Sequence, residues 1–295
     1  MRIGALEAGG TKMVCAVGDE KGGVFARTQI PTAAPEETVP AMIDWFRAQE
    51  IEALGIGCFG PIDLRRDSET YGYITTTPKP GWAWYDMVGA FQRALCVPVG
   101  FDTDVNASVL GEVSCGQAKG METVLYITVG TGIGLGVYIN GRLHHGILHP
   151  EGGHVLLTRH PEDQWKCRCP YHPNCLEGLA CGPAIEERWG KRAEELEDVP
   201  KVWEMEAFYI AQALMDYICV LSPEKIILGG GVMKQRRLFP LIRAEVARLM
   251  NGYLAAEQLH HLEDYIVPES LEGDQGILGC LRLGALEWER TQQKG

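Results

Sequence analysis

The sequence predicts an α/β protein built in two parts. Three observations lead there. Short β-rich runs alternate along the chain with stretches whose apolar residues recur at helical spacing. A strand–Gly/Thr turn–strand unit occurs twice, as LEAGGTKMVCAV at 6–17 and ITVGTGIGLGVYI at 127–139. The 295 residues suffice for one large or two medium domains, each burying its own core.

In order, residues 2–8 read as a strand, Gly9–Thr11 as a turn and 13–17 as a second strand. Gly22-Gly23 turns the chain into a third strand over 24–30. Residues 36–49 form a helix because Val39, Met42, Ile43 and Phe46 share one face. A strand of small residues (54–58), a helix (85–95), a strand (97–101) and a helix (104–116) follow. The second part opens near Lys119-Gly120 with a strand over 123–129, a turn at Gly130–Gly132 and a strand over 133–139; Asn140-Gly141 then turns into 142–144. A long helix (205–221), a strand (225–228), a turn at Gly229–Gly231 and helices over 236–250 and 275–289 complete the chain. The division expected is an N-terminal α/β domain over 1–118 and a C-terminal α/β domain over 119–274, with a helix over about 275–295 packing back on the first.

Composition narrows the function classes. With 46% hydrophobic and 22% charged residues the chain is ordinary globular protein. A net charge of −12, with Lys and Arg scattered, repels phosphate backbones and anionic membranes, so nucleic acid and membrane are not expected partners. The N-terminus lacks the apolar core of an export signal. The longest apolar stretch, 124–139, is broken by Thr and four Gly residues and is no membrane helix. Ten cysteines without an export signal point to a reducing cytoplasm, most of them as buried thiols.

Three glycine turns stand out: Gly9-Gly10-Thr11-Lys12, Gly130-Thr131-Gly132 and Gly229-Gly230-Gly231. A glycine turn between strands presents backbone N–H groups unobstructed and makes an anion seat. Any one alone is a tight hairpin; three, two of them with Thr, point to nucleotide phosphate. A P-loop is excluded, because Gly10 stands where its Lys belongs, and so is the dinucleotide fingerprint, whose third glycine falls on Leu135.

Residues 149–178 hold Cys167, Cys169 and Cys175 with His149, His154, His160 and His172. Cys169-x2-His172-x2-Cys175 has zinc-ligand spacing, and a structural tetrahedral site is the reading that fits a reducing compartment. The expected set is His154, Cys169, His172 and Cys175, with Cys167 the rival to His172. His144, His145, His149 and His160 are expected at the surface or in loops.

The motifs EAGGTK (7–12), TDVNASVLGE (103–112), TVGTGIGLG (128–136), HPEGGH (149–154), the Cys/His loop ending in CLEG and LGGGV (228–232) together resemble the ROK family (repressors, open reading frames and sugar kinases) over nearly the whole chain. GCFGPID (57–63) and TTTPKPGW (75–82) resemble its fructokinase branch. The resemblance implies two actin-like (ribonuclease H-like) ATPase domains with a cleft between them, and an ATP-dependent hexose kinase acting on the 6-hydroxyl of fructose. It implies Asp104 as general base, with Asp102 a rival by proximity, although a carboxylate at a helix start is often only an N-cap. Asn106, Glu151, Glu177, Gly60 and Pro61 are then sugar-binding, and Thr103 stands where the family usually carries Asn. ATP falls to Gly9, Gly10, Thr11, Lys12, Gly130, Thr131, Gly132, Gly182, Pro183, Gly229, Gly230, Gly231, Val232 and Met233. Mg²⁺ accompanies ATP, zinc is structural, and a homodimer is the family expectation.

Rival readings are a kinase for glucose, mannose or an N-acetylated hexosamine, a sugar-sensing repressor, and a non-catalytic sugar-binding protein. A strand starting at Arg2 leaves no room for a helix-turn-helix, and the charge is wrong for DNA. Retention of Asp104 and all three glycine turns argues against a dead binding protein.

Overall fold

The computed structural model describes residues 1–293. Strands β1 (Ile3–Ala8), β2 (Lys12–Gly18) and β3 (Val24–Pro31) form a meander. Helix α1 (Pro35–Ala48) follows, then β4 (Ala53–Cys58), the ribbon β5 (Tyr73–Ile74) and β6 (Tyr85–Asp86), helix α2 (Met87–Leu95), β7 (Val99–Thr103) and helix α3 (Asp104–Cys115). Strands β8 (Val124–Val129), β9 (Ile133–Ile139) and β10 (Arg142–Leu143) repeat the meander. Then come α4 (Leu176–Ala180), α5 (Gly182–Trp189), α6 (Pro200–Leu221), β11 (Lys225–Gly229), α7 (Leu238–Met250), α8 (Leu262–Tyr265), β12 (Ile266–Pro268) and α9 (Gln275–Gln292).

Two five-stranded sheets result, ordered β3-β2-β1-β4-β7 and β10-β9-β8-β11-β12. Each has an antiparallel meander on one side and parallel strands on the other, so the two halves share one topology. The burial pattern explains the strand sequences. β1 and β4 are covered on both faces and read as runs of apolar and small residues, whereas β3, at an edge, alternates exposed and half-buried positions.

Helices α1 and α2 close one face of the first sheet around Phe46 and Phe91, and α6 and α7 pack with the second sheet around Trp203 and Ile242. Between the sheets lie α3 and α9, whose Ala107, Leu110, Ile277 and Leu281 share a cluster with Ile3 and Val14 of one sheet and Tyr126 and Ile227 of the other. No described helix is long and apolar enough to cross a membrane.

Several element limits differ from the sequence reading. The helix expected from 85 begins at Met87, because Tyr85 and Asp86 pair with Tyr73 and Ile74 and the Asp86 carboxylate caps it by accepting the Gly89 N–H at 2.8 Å. The strand expected over 97–101 runs two residues later, since Pro98 has no N–H to give to a ladder. The long helix starts at Pro200 rather than Met205, with proline in its first turn. Residues 294 and 295 of the expected last helix lie outside the described residues.

Candidate active site

The register places the chemistry. Glu7 is level with Gly57 and Gly57 with Asp102, so β1, β4 and β7 end together and release the Gly9 turn and Asp104 at one edge. In the second sheet Thr128 is level with Gly229, which brings the Gly130 and Gly229 turns to a common edge.

Asp104 is the first residue of α3, but it is not the cap. That role belongs to Thr103, whose hydroxyl accepts the Asn106 N–H at 3.1 Å. The Asp104 carboxylate accepts the Val105 N–H at 2.9 Å and is also lowered by its own N–H. Burial pushes its pKa up to about 6, and Glu151 adds to the rise against the Val105 N–H and Lys79. Burial likewise pushes Glu7 up to about 7, with Asp104 adding to it and Arg27 and Lys12 opposing. Asp102 is buried and fully engaged, by the Asn106 amide at 2.7 Å, its own chain at Thr103 N and the His145 ring at 2.8 Å. It has no open face for a substrate proton.

Asn106 departs from its expected place. It is wholly buried, its amide donates to Asp102, and its carbonyl accepts the Val137 N–H at 3.1 Å. It braces α3 against β9, with both ends of its amide engaged by protein groups. Glu151 lies close enough to Asp104 to raise it. Burial pushes Glu151 itself up to about 7, with Glu177 adding to the rise, although 47% of its side chain stays open. Glu177, on α4, has one oxygen on the Ile133 N–H at 2.9 Å and the other 3.9 Å from His154 Nε2. It links the Gly130 turn to the Cys/His cluster and is only partly free for a hydroxyl. Gly60 and Pro61, joined by a cis bond, lie against His149.

The residues expected to meet nucleotide fall into two groups. Gly9, Gly10, Thr11 and Lys12 form the β1–β2 turn, closed by Gly9 N–H to the Lys12 carbonyl at 3.1 Å, with Gly10 to Lys12 exposed. On the other half, Gly182 N–H donates to the Gly130 carbonyl at 2.7 Å, and Gly231 N lies 3.8 Å from where a Cβ on Gly130 would stand. Gly130, Thr131 and Gly132 thus meet Gly182-Pro183 and the Gly229–Gly231 turn in one corner. Gly230 has φ +92°, and a side chain there would meet the Val129 carbonyl at 2.5 Å. Val232 and Met233 turn into the core, 4% and 2% exposed, and support this corner rather than line it.

His154, Cys169, His172 and Cys175 bring one ligand atom each to within 4.8 Å of one another. Cys167 is not among them. It is buried in the apolar core, its sulfur 2.2 Å from where a Cβ on Gly178 would stand. Two imidazoles and two thiols at this spacing are the donor set of a tetrahedral zinc site, with bonds of about 2.0–2.3 Å.

Residues that the sequence reading passed over complete the site. Lys79, inside TTTPKPGW, donates to the Gly10 carbonyl at 2.9 Å and lies 4.8 Å from the Phe59 ring centroid, a cation between the phosphate turn and Asp104. Its signal was a lone cation in a branch-specific motif. His149, expected at the surface or in a loop, lies in a loop but is buried at 6% exposure and accepts the Ile62 N–H. His145 pairs with Asp102 while 37% of its side chain stays open. Both contacts span some forty to ninety positions of chain, beyond any local pattern.

The loop before the cysteines is held by Asp163. Its carboxylate takes the Tyr209 hydroxyl at 2.6 Å, Arg188 at 3.2 Å and the Trp165 N–H at 2.9 Å, while Arg188 also donates to the Leu179 carbonyl of α4 at 2.7 Å.

The ROK family profile matches residues 3–285, and the chain belongs to that family. A relative from Bacillus subtilis is 51% identical over 95% of this chain and 94% of its own. A fructokinase of Pediococcus pentosaceus is 47% identical over 96% of this chain and 97% of its own. Among solved structures, a ROK hexokinase from Thermus thermophilus superposes with a TM-score of 0.83 at 28% identity, covering 98% of this chain and 100% of that one. The two halves are the actin-like ATPase domains of this family.

Asp163→Ala leaves the buried Arg188 without its partner. It should cost about 3–5 kcal/mol, the scale for breaking a buried ion pair, read from the denaturant midpoint at unchanged slope.

Proposed function

We propose that the protein is an ATP-dependent fructokinase, transferring the γ-phosphoryl group of ATP to the 6-hydroxyl of D-fructose. The observation that carries this is Asp104: a carboxylate raised to about 6, at the edge where β1, β4 and β7 end and the Gly9 turn begins. Its relatives named fructokinase support the choice of sugar, including one from Streptococcus mutans at 42% identity over 95% of this chain.

In this reading Asp104 accepts the hydroxyl proton as the sugar oxygen bonds to the γ-phosphorus and the bond to the β-phosphate oxygen breaks. The base needs only to orient the hydroxyl and take its proton late. Glu151 and the free oxygen of Glu177 accept sugar hydroxyls. The Gly9–Lys12 and Gly130–Gly132 turns offer N–H groups and the Thr11 and Thr131 hydroxyls to phosphate. Lys79 and Lys12 lower the negative potential there. Glu7 and Asp104 are neighbouring buried carboxylates, Asp104 adding to the rise of Glu7, and such a pair suits a hard divalent cation. Mg²⁺, when bound with ATP, neutralises phosphate charge. His154, Cys169, His172 and Cys175 hold a structural zinc that fixes α4 and hence Glu177. The protein acts in the cytoplasm as a homodimer.

ADP release from Mg-ATP, measured separately with fructose, glucose, mannose and N-acetylmannosamine, tests the function. Fructose should be strongly preferred; a faster rate with another hexose moves the protein to a different kinase of the family, and no rate with any sugar removes the kinase reading.

Asp104→Asn should lower turnover about 10²–10⁴-fold with fructose binding kept. In the parent, kcat/KM should fall as pH drops below about 6. The raised pKa means that the ionised carboxylate opposes folding, so stability is lost as pH rises through that value. The Asn variant should therefore melt higher than the parent near pH 8 and equal to it near pH 4. Turnover within threefold of the parent sinks the base assignment.

Purified protein should carry about one zinc per chain by elemental analysis. Chelation should lower the melting temperature and the activity together. His172→Ala should lose the metal and Cys167→Ala should keep it; the reverse pattern would exchange those two ligands.

A further inference from the structure

A lysine joins the first glycine turn to the surroundings of Asp104. Lys79 lies on the segment between β5 and β6, flanked by Pro78 and Pro80. Its backbone is pinned. The Lys79 carbonyl accepts the Trp82 N–H at 3.2 Å, and the Trp82 indole, 1% exposed, donates to the Ala33 carbonyl at 2.9 Å. The Trp82 ring in turn meets Phe59 edge-on, with centroids 5.8 Å apart. From this base the Lys79 side chain runs over Phe59, its Nζ 4.8 Å from the ring centroid, and donates to the Gly10 carbonyl at 2.9 Å.

Three residues at the end of β4 form a common floor for Asp104 and Lys79. A Cβ on Gly57 would stand 3.4 Å from the Asp104 Cα. Phe59, two positions on, lies under Lys79 and gives its own N–H to the Ala8 carbonyl, next to the Gly9 turn. The charges register this closeness. Burial lowers the Lys79 pKa, with Cys58 and Asp104 opposing, and Lys79 in turn lowers Asp104. A phosphoryl group in transit from the turn to a hydroxyl on Asp104 would pass beside the Lys79 ammonium.

The resting contacts of that ammonium are weak ones. A carbonyl and an aromatic face are both neutral, whereas a hydrogen bond to an anionic oxygen is roughly twice as strong as a neutral one. The four-carbon stem lets the head leave Gly10 while the pinned backbone stays in place.

We propose that Lys79 is a catalytic residue: its ammonium leaves the Gly10 carbonyl and donates to an oxygen of the γ-phosphoryl group as that group passes to the sugar. This rests on the fructokinase reading and on Asp104 as the base. In the step, the sugar oxygen bonds to the γ-phosphorus, the bond to the β-phosphate oxygen breaks, and the hydroxyl proton goes to Asp104. Lys79 keeps its protons and meets the charge that spreads over the phosphoryl oxygens. General screening of phosphate charge acts on bound ATP and on the transition state alike, whereas a contact made in transit speeds the step itself.

The test compares Lys79→Met with the parent as full-length, metal-loaded protein. Met keeps an apolar stem over Phe59 and removes the charge and the donor. The readout is the single-turnover rate of transfer from Mg-ATP to fructose. It is taken on the alkaline plateau of the pH profile, because loss of Lys79 also raises Asp104. Removing one donor to developing charge slows a reaction about 10²–10³-fold. Lys79→Met should slow transfer by that factor, with affinities for ATP and fructose within about threefold of the parent. Binding of Mg-ADP with aluminium fluoride and fructose, a mimic of the group in transit, should weaken far more than binding of Mg-ADP. A lysine that only braces the Gly10 turn would weaken ATP and ADP binding and spare the rate. If Lys79→Met does not fold, Lys79→Gln carries the same comparison. A transfer rate within about threefold of the parent, or a loss of rate matched by an equal loss of ATP affinity, overturns the proposal while an active parent leaves the kinase reading standing. A parent inactive with every hexose overturns both.

Discussion

The site depends on how closely the backbone of α3 is gripped. A Cβ on Gly279 of α9 would stand 1.7 Å from the Ala107 carbonyl, and one on Gly136 of β9 would stand 2.1 Å from the Val105 carbonyl. Helix α3 is thus in backbone contact with α9 on one side and with the second sheet on another. Such contact leaves no side chain to re-pack, so the helix has one position relative to both sheets. Asp104 heads that helix, and its distance from the glycine turns of both halves follows from this packing. The Asn106 bridge to Val137 is the polar counterpart, binding the same helix turn to β9.

A helix held this way can carry an electrostatic load. Glu7, Asp104 and Glu151 are all raised, each by burial first and then by a neighbouring carboxylate. Left alone such groups would move apart or take up protons, and the rigid frame prevents the first. The remaining relief is positive charge. Lys79 and Lys12 supply some of it, and a cation arriving with nucleotide would supply more. A site that is strained without ligand and relieved with it favours the loaded state. The same feature keeps Asp104 basic enough to take a proton near neutral pH.

Much of the fold was legible because it is periodic. The meanders, α1, α3 and the long helices follow from spacing and from glycine turns, and the repeated strand–turn–strand unit reflects two sheets of identical order. The turn at Gly229–Gly231 was legible because Gly230, at φ +92°, holds a conformation that favours glycine. The errors have a common origin in contacts distant along the chain. Asn106 looked like a sugar ligand until Asp102 and Val137 took both ends of its amide. Thr103, the residue that departs from the family pattern, turned out to be the helix cap. His149 lies in a loop as expected, but its burial was not legible because nothing local shows that its ring meets Ile62, 87 positions away. The α4 and α5 helices escaped notice because each is short and follows an irregular loop, where packing rather than propensity decides.

That irregular loop raises the question of what the Cys/His cluster adds when Asp163 already ties the loop down. The two anchors hold different parts. Asp163 and Arg188 join the segment around 159–165 to α5, α6 and the end of α4. The Cys/His set joins His154, on the turn that follows Glu151, to Cys175, the residue that caps α4 two positions before Glu177. Glu151 and Glu177 repel each other, as the rise in Glu151 records. Two like charges on separate, weakly structured segments would drift apart unless something bound those segments together. The Cys/His cluster lies between them and is placed to oppose that repulsion, whereas Asp163 lies behind α4 and cannot. The cysteine-rich loop therefore makes physical sense as the clamp between two carboxylates that repel each other.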